Sequence, residues 1–414
     1  MIGWQSSKSH TTRISRRLFT VAAALSLATT CLAPAWADDA KTASIALIVP
    51  LSGDWGEQGQ LMREGAEFAI RKINESGGIK ATGGTKLKLV VADTGPSVET
   101  AVSAAQRVLG SGDISAAVGC WLSSFTLATT EIAERMQIPW ITFSYADKVT
   151  ARGYKYTFRD NAPSSWQVST GLKEILAASA AAGHPLKTIA IAGDNTAAGE
   201  ASHAAIKKYA PQLGLKIVLE KIWTPPLSDA DSVASALKRA NPDLIWGGAT
   251  TLTDTSGLIQ ALRAHKVEVP VLGAGSQFLT DAFVKAVGGS DKVNGLATIV
   301  GDGVLKGMEK LNDEFEAQYH HPMIEDMADT YAEIWMIKDA MEQAKSTDPK
   351  KVRDALASID IKSGPASFVP GGEVKFDSTG QNIKAVVAVQ QWQNGKIVTV
   401  APPAAATGKL IPLR

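Results

Sequence analysis

The feature that most constrains the fold is a repeated alternation of short apolar runs with amphipathic helical patterns. Residues 44–50 and 188–194 are apolar runs of strand length, rich in alanine and β-branched residues. The first run is followed by residues 57–75, in which apolar residues recur at helical spacing. Near-continuous apolar strands fit parallel sheets that helices cover on both faces. The pattern therefore predicts an α/β fold built from doubly wound, Rossmann-like sheets.

The alternation runs through two series and then gives way to helical segments and strand-like segments in a different order. The later segments contain too much chain to extend the second sheet alone. We therefore expect a first lobe of residues 38–162 plus about 295–372, and a second lobe of residues 163–294 plus about 373–414. Such a chain crosses between the lobes three times, which predicts a three-strand hinge beside a cleft.

Residues 1–37 have the pattern of an export signal. The pair Arg16-Arg17 precedes an apolar run over residues 19–32, and small residues up to Ala37 form an A-x-A cleavage pattern. The apolar run is too short to be a stable membrane anchor. We therefore expect a twin-arginine type signal, cleavage between Ala37 and Asp38, and a soluble protein in the periplasm.

Charge and cysteine content exclude several classes of function. The leader holds four of the 42 Lys and Arg residues and none of the 41 Asp and Glu residues, so the remaining chain has a net charge of −3. With no basic cluster either, we expect no nucleic-acid partner. Cys120 is the only cysteine outside the leader, so no internal disulfide is expected. We find no spacing of metal ligands and no cofactor motif, and therefore expect neither a metal nor a cofactor.

The carboxyl ends of the predicted strands are rich in glycine, hydroxyl and aromatic residues. Ligands of open α/β sheets bind at this edge, and aromatic side chains beside a few polar groups are typical of a small-molecule site. The candidate ligand-binding residues at or beside these ends are Trp55, Gln58, Trp121, Ser123, Ser124, Phe143, Tyr145, Asp194, Gln277 and Asp302.

Residues 119–139 (GCWLSSFTLATTEIAERMQIP) allow three interpretations. Ser123 or Ser124 stands at the N-cap position of a predicted helix and could serve as a cap alone. A helix N-terminus also binds anions, which makes the same serine an anchor for a carboxylate. A nucleophilic serine needs a nearby base and a strained turn, but no flanking glycines or strand-end histidine accompany Ser123. Cys120 is expected to be a buried apolar side chain. We therefore expect no enzyme.

Four segments together resemble one protein family. Residues 50–79, 98–109, 116–160 and 348–356 are similar, in order, to successive segments of the periplasmic solute-binding proteins for branched-chain amino acids and related compounds. These are the type I binding proteins of ABC importers. The likeness extends over essentially all of the chain beyond the leader. It implies two Rossmann-like lobes that are joined by three hinge strands and close on a ligand.

The resemblance implies roles for particular residues. Ser123 matches the serine that binds the ligand carboxylate, and Phe143 and Tyr145 match the next strand end, where Tyr145 replaces a threonine. Gly275 stands about where the family has the glutamate that holds the ligand ammonium, and Ala198 where it has an aromatic residue.

The chain thus has the serine that would bind the ligand carboxylate, Ser123, but lacks the glutamate that would bind the ligand ammonium. A buried ammonium without a partner costs several kcal/mol, so the pattern favours an acid with an apolar or aromatic body over an α-amino acid. Asp194 or Asp302 could replace the missing acid, which would restore an amino-acid ligand.

The resemblance implies a receptor for a small carboxylate-bearing solute, a branched-chain amino acid or a related apolar or aromatic acid. Such a receptor delivers the solute to an inner-membrane ABC permease and its ATPase. A periplasmic sensing receptor of the same fold is the alternative, and an enzyme is the third class. We expect a monomer.

Overall fold

The structure is a computed structural model that describes residues 41–181, 183–293, 295–300, 308–403 and 406–411. The expected export signal and the candidate Asp302 lie outside these ranges. No helix within them has the length and apolar character needed to cross a membrane.

The first lobe is built on a parallel five-stranded sheet. Its strands are β1 Thr42–Val49, β2 Lys86–Asp93, β3 Ile114–Gly119, β4 Trp140–Thr142 and β5 Thr157–Arg159. Its helices are α1 Gly56–Glu75, α2 Val98–Leu109 and α3 Ser123–Met136. The order β2-β1-β3-β4-β5 places β1 and β3 centrally. Every residue of β3 is buried, as expected of a strand covered on both faces.

The second lobe begins with the next strand–helix series. Its strands are β6 Thr188–Asp194, β7 Lys216–Trp223, β8 Leu244–Gly248, β9 Val271–Ala274 and β10 Ala297–Val300. Its helices are α4 Ser164–Ala181, α5 Ala197–Gln212, α6 Ala230–Ala240, α7 Leu252–Ala264, α8 Asp281–Val287 and α9 Ser290–Val293.

After β10 the chain returns to the first lobe. The return segment contains α10 Glu309–Tyr319, α11 Glu325–Ala344, α12 Pro349–Ala357, β11 Asp360–Ile361 and β12 Val374–Lys375. Its apolar residues share one core with α1 and β1, and this core includes Phe68, Phe315 and Tyr331. A Cβ at Gly65 would lie 2.4 Å from the carbonyl oxygen of Met327. The close packing of α1 on α11 therefore requires glycine at position 65.

The chain ends in the second lobe with β13 Ala388–Gln393 and β14 Lys396–Ala401. The second sheet has the order β14-β13-β10-β9-β8-β6-β7, with β13 and β14 antiparallel. We expected the chain to leave this lobe near residue 295. The pairing of β10 with β9 and β13 moves that crossing past Val300. The burial of Val374 and Phe376 in the first core likewise moves the last crossing beyond the expected residue 372.

Two of the segments that cross between the lobes, residues 159–161 and 380–382, lie side by side. The backbone N–H of Arg159 donates to the carbonyl of Gly380 (2.7 Å), and that of Asn382 donates to the carbonyl of Arg159 (2.8 Å). The Gln381 amide donates to the carbonyl of Asn161 at 2.8 Å. Residues 301–307, between β10 of the second lobe and α10 of the first, lie outside the described ranges. The predicted α/β fold of two doubly wound lobes is confirmed.

Candidate functional site

A small cavity lies between the lobes, at the carboxyl ends of the parallel strands of both sheets. The first lobe lines it with Trp121, Leu122, Ser123, Phe143, Ser144 and Tyr145, and the second with Ala198, Gly199, Ser202, Trp246, Gly248, Ala249, Thr250, Ala274 and Gln277. Its volume, measured as space for the centres of water molecules, is about 50 Å³. At roughly 10–15 Å³ per water on this measure, the cavity suits a small solute. None of these described lining side chains is charged.

Ser123 is the first residue of α3, and the N-cap position belongs to Leu122. Neither Ser123 nor Ser124 caps the helix with its side chain, so that part of our expectation was wrong. The Ser123 Oγ accepts a hydrogen bond from the backbone N–H of Ala146 at 3.1 Å. No described residue accepts a hydrogen bond from this hydroxyl, which can therefore donate to a ligand. A hydroxyl donor beside the positive end of a fourteen-residue helix favours an anionic group.

Ser124 does not line the cavity. Its Oγ accepts a hydrogen bond from the backbone N–H of Ala197, at the start of α5 in the second lobe, at 3.2 Å. The two neighbouring serines therefore differ in position: Ser123 lines the cavity, whereas Ser124 joins the two lobes beside it.

Trp121 lines the cavity and is held by an acid that the sequence analysis did not identify. Its backbone has φ of +74°, a region that favours glycine. Its indole Nε1–H donates to Oδ1 of Asp326 at 2.8 Å. The other oxygen of Asp326 accepts from the Ser276 hydroxyl of the second lobe at 2.7 Å. Asp326 thus holds Trp121 in place and joins the lobes.

Asp326 is fully buried, and burial raises the pKa of its carboxyl to about 7. The hydrogen bonds from Ser276 and Trp121 act in the opposite direction, while the charge of Glu57 raises the pKa further. The carboxyl therefore changes its protonation state near neutral pH.

Phe143, Ser144 and Tyr145 follow β4 and form the adjoining wall. Phe143 is buried. The Tyr145 hydroxyl donates to Oε1 of Glu325 at 2.6 Å, and burial, together with the negative charge of Glu325, raises the pKa of Tyr145. Ser144, which we did not predict, donates to the carbonyl of Trp121 at 2.9 Å. Tyr145 therefore links the cavity wall to the first turn of α11.

Asp194 lies at the end of β6 but does not line the cavity. Its Oδ1 accepts from the backbone N–H and hydroxyl of Thr196, at 3.1 and 2.6 Å. Its Oδ2 accepts from the backbone N–H and hydroxyl of Thr250, both at 2.7 Å. Burial raises the pKa of Asp194, and these hydrogen bonds counteract the rise. With four donors, Asp194 fixes the loops after β6 and β8.

Trp55 and Gln58 are also absent from the cavity lining. The Trp55 ring packs edge-on against Phe125, with centroids 5.7 Å apart. Gln58 is fully buried in the first turn of α1, and its amide has no hydrogen-bond partner among the described residues. Of the described candidates, Trp121, Ser123, Phe143, Tyr145 and Gln277 come together at the cavity, whereas Trp55, Gln58, Ser124 and Asp194 do not.

Ser123 has no base beside it among the described lining residues. These residues include no histidine, carboxylate or lysine. Cys120 is buried beside Thr129, and burial raises the pKa of its thiol to about 12. His203 is buried behind the second-lobe wall, and burial lowers its pKa to about 4. In the described part of the chain, no group of three or more histidine, cysteine, aspartate or glutamate residues could hold a metal.

The sequence pattern of the periplasmic binding protein family matches residues 42–396. The chain belongs to this family. The family is a solute-binding fold rather than an enzyme family. This periplasmic binding protein is 26% identical over 413 residues to the Leu/Ile/Val-binding protein homolog 8 of Brucella melitensis, covering 96% of this chain and 99% of the relative.

Two solved structures show the same fold. The branched-chain amino acid substrate-binding protein LivJ of Streptococcus pneumoniae, in complex with isoleucine, superposes with a TM-score of 0.73 at 21% identity, over 87% of this chain and 100% of LivJ. An ABC transporter solute-binding protein of R. palustris, in complex with benzoate, superposes with a TM-score of 0.73 at 20% identity, over 89% of this chain and 98% of the R. palustris protein. These matches confirm the resemblance to type I periplasmic binding proteins.

Proposed function

We propose that this protein is the substrate-binding component of an ABC importer and captures a small carboxylate-bearing solute between its lobes. The observation that carries this proposal is the placement of Ser123 and the α3 N-terminus at an aromatic-lined cavity whose described side chains are uncharged. The helix end and the hydroxyl bind the carboxylate. Trp121, Phe143 and Tyr145 of the first lobe and Trp246 of the second surround the apolar body.

The ligand that fits best is an acid without an ammonium group. Among the described residues no carboxylate lines the cavity, and Asp194 already accepts four hydrogen bonds. An ammonium held by these lining residues would be buried without a counter-charge. Isoleucine and benzoate, the ligands bound to the two structural neighbours, share a carboxylate, and only benzoate lacks the ammonium. We therefore favour an aromatic acid over a branched-chain amino acid.

Capture works through closure of the lobes. The bonds from Ala197 to Ser124 and from Ser276 to Asp326 both join the first lobe to the second. A ligand that touches both walls of the cavity adds contacts that exist only when the lobes are together. It therefore stabilises the closed form by its differential affinity, and the membrane permease recognises that form.

The ligand class is tested by a thermal-shift screen of aromatic acids, branched-chain amino acids, short amides and urea, followed by calorimetry. A ligand that binds only the folded state raises the melting temperature. We expect carboxylates alone to do so. If amides or urea raise it while no carboxylate does, the proposed ligand class is wrong.

The role of Ser123 is tested by Ser123→Ala. Loss of a hydrogen bond to a carboxylate, worth roughly 1.5–3 kcal/mol, should weaken binding roughly 10- to 100-fold. Ser103→Ala is the matched control, because Ser103 is exposed on α2 and its hydroxyl donates to the carbonyl of Glu99 within the same helix. Equal affinities of the two variants would remove Ser123 from the site.

Transport is distinguished from sensing by uptake of the bound acid in a strain that lacks this gene. The proposal predicts that uptake is lost and that Ser103→Ala, but not Ser123→Ala, restores it at low solute concentration. Unchanged uptake in the deletion strain would favour the sensing receptor. Mass spectrometry of the exported protein should give a monomer that begins at Asp38.

A further inference from the structure

The second-lobe wall of the cavity carries two buried polar atoms without partners. Trp246 is 0% and Gln277 2% exposed. Among the described residues, no atom forms a hydrogen bond with Nε1 of Trp246 or with Oε1 of Gln277. Both residues line the cavity. Buried polar atoms are nearly always hydrogen-bonded, so two of them on one wall point to a ligand that satisfies them.

The orientation of the Gln277 amide is fixed by its surroundings. Its Nε2 donates to the carbonyls of Ala249 (2.6 Å) and Ala274 (2.9 Å). Reversing the amide would place its oxygen against two carbonyl oxygens, which is unfavourable. The unpartnered atom of Gln277 is therefore its oxygen, which is a hydrogen-bond acceptor.

The indole of Trp246 is held against a glycine. Gly248 follows two residues later on the same face of β8, and a Cβ there would lie 2.6 Å from the indole Nε1. Any side chain at position 248 would collide with the N–H edge of the Trp246 indole, and glycine avoids this collision. Gly248 also lines the cavity. A donor of Trp246 and an acceptor of Gln277, both without partners among the described residues, thus belong to side chains of the same wall.

We propose that Trp246 and Gln277 form a subsite for a hydroxyl group, and that the ligand is a hydroxylated aromatic acid. This inference rests on the proposed function, because it assumes that the carboxylate lies at Ser123 in the opposite lobe. A hydroxyl accepts a hydrogen bond from an N–H and donates one to a carbonyl oxygen. An ammonium only donates, an ether only accepts, and a methyl group or a bare ring edge does neither.

A site whose buried polar groups are left unpaired discriminates strongly against the ligand that lacks the matching group. Calorimetry with benzoate, 3-hydroxybenzoate, 4-hydroxybenzoate, 4-methoxybenzoate and leucine tests this on the wild-type protein. We expect the better hydroxybenzoate to bind at least about tenfold more tightly than benzoate, its methyl ether and leucine.

Trp246→Phe removes the donor and keeps an aromatic ring. It should reduce the preference for the hydroxybenzoate over benzoate, measured as the ratio of the two dissociation constants in the same variant, at least about fivefold. Trp166→Phe is the matched control, because Trp166 is 37% exposed on α4 and lies outside the cavity. It should keep the wild-type preference.

The calorimetry results distinguish failure of the hydroxyl subsite from failure of the proposed function. If benzoate and the hydroxybenzoates bind equally, or if leucine binds more tightly than either, the hydroxyl subsite is refuted while the carboxylate receptor stands. If Trp246→Phe retains the full preference, Trp246 is not the donor and the subsite is likewise refuted. If no carboxylate in the series binds, the proposed function fails and the inference fails with it.

Discussion

Asp326→Asn removes the ionisable group of the buried acid and keeps the size and shape of its side chain. The asparagine oxygen accepts from Trp121, and its amide nitrogen donates to the Ser276 hydroxyl, so both hydrogen bonds of the wild-type pair keep a counterpart. The variant therefore resembles the protonated acid at every pH.

The magnitude follows from the pKa of Asp326. It is about 7 in the folded protein, where burial raises it, against the ordinary 3.8. Between these values the folded state binds more protons than the unfolded state, so the free energy of unfolding falls as the pH rises towards 7. From about pH 5.5 to about pH 8, ionisation of this single group removes about 2 kcal/mol of wild-type stability.

Urea unfolding of the wild type and of Asp326→Asn at the two pH values measures this loss. We expect the wild type to lose about 2 kcal/mol more than Asp326→Asn across the interval. Buried carboxyls that do not interact with Asp326 contribute equally to both proteins and cancel; Asp329 is the exception, because the charge of Asp326 raises the pKa of Asp329. Asp313→Asn, which changes an exposed aspartate on α10, is the control and should follow the wild type. Equal losses in wild type and Asp326→Asn would show that burial does not raise the pKa of Asp326 and would refute the reasoning.

Three further predictions use other residues. Tyr145→Phe removes the hydrogen bond to Glu325 and keeps the ring, so urea unfolding should show a loss of roughly 1.5–3 kcal/mol with affinity for the acid changed less than about threefold; a large affinity change at constant stability would contradict this. Gly248→Ala places a methyl group against the Trp246 indole and should weaken binding about tenfold or more in calorimetry, whereas Gly257→Ala, which meets open space on α7, should not. Because Cys120 is buried and its thiol pKa is about 12, a chromogenic thiol reagent at about pH 8 should react only after denaturation; rapid reaction of the native protein would contradict this.

The lobes could be predicted because local periodicity reports the sheet environment. A run such as residues 45–49 is apolar throughout only where helices cover both faces of the strand. The sheet membership of β10 could not be predicted in the same way. Its four residues pair with β13, which lies almost 90 residues later in the chain, and no local pattern specifies that partner.

The first-lobe wall of the site was largely predictable, because Trp121, Ser123, Phe143 and Tyr145 follow β3 and β4 directly. The contribution of α11 was not, because Asp326 lies about 200 residues from Trp121 in sequence. An acidic pair in the first turn of a helix ordinarily indicates favourable placement at the helix dipole. Only the three-dimensional structure shows that Glu325 and Asp326 contact the cavity wall.

The sequence analysis did not predict that Trp246 lines the second-lobe wall of the cavity. Trp246 lies in the apolar run of β8, where an aromatic residue is usually part of the core. The two glycines that follow it, Gly247 and Gly248, were the available signal, since paired glycines at a strand end indicate close approach by another group. Asp194 ends its strand as expected, but its four hydrogen bonds show that it supports two loops.

The most direct test of the central claim is a crystal structure of the protein with the acid that binds most tightly in calorimetry. The account predicts the acid between the lobes, with its carboxylate oxygens within hydrogen-bond distance of the Ser123 hydroxyl and the first backbone N–H groups of α3. Its ring should lie among Trp121, Phe143 and Trp246. An acid bound elsewhere, or bound in this cavity with its carboxylate directed away from Ser123, would contradict the account.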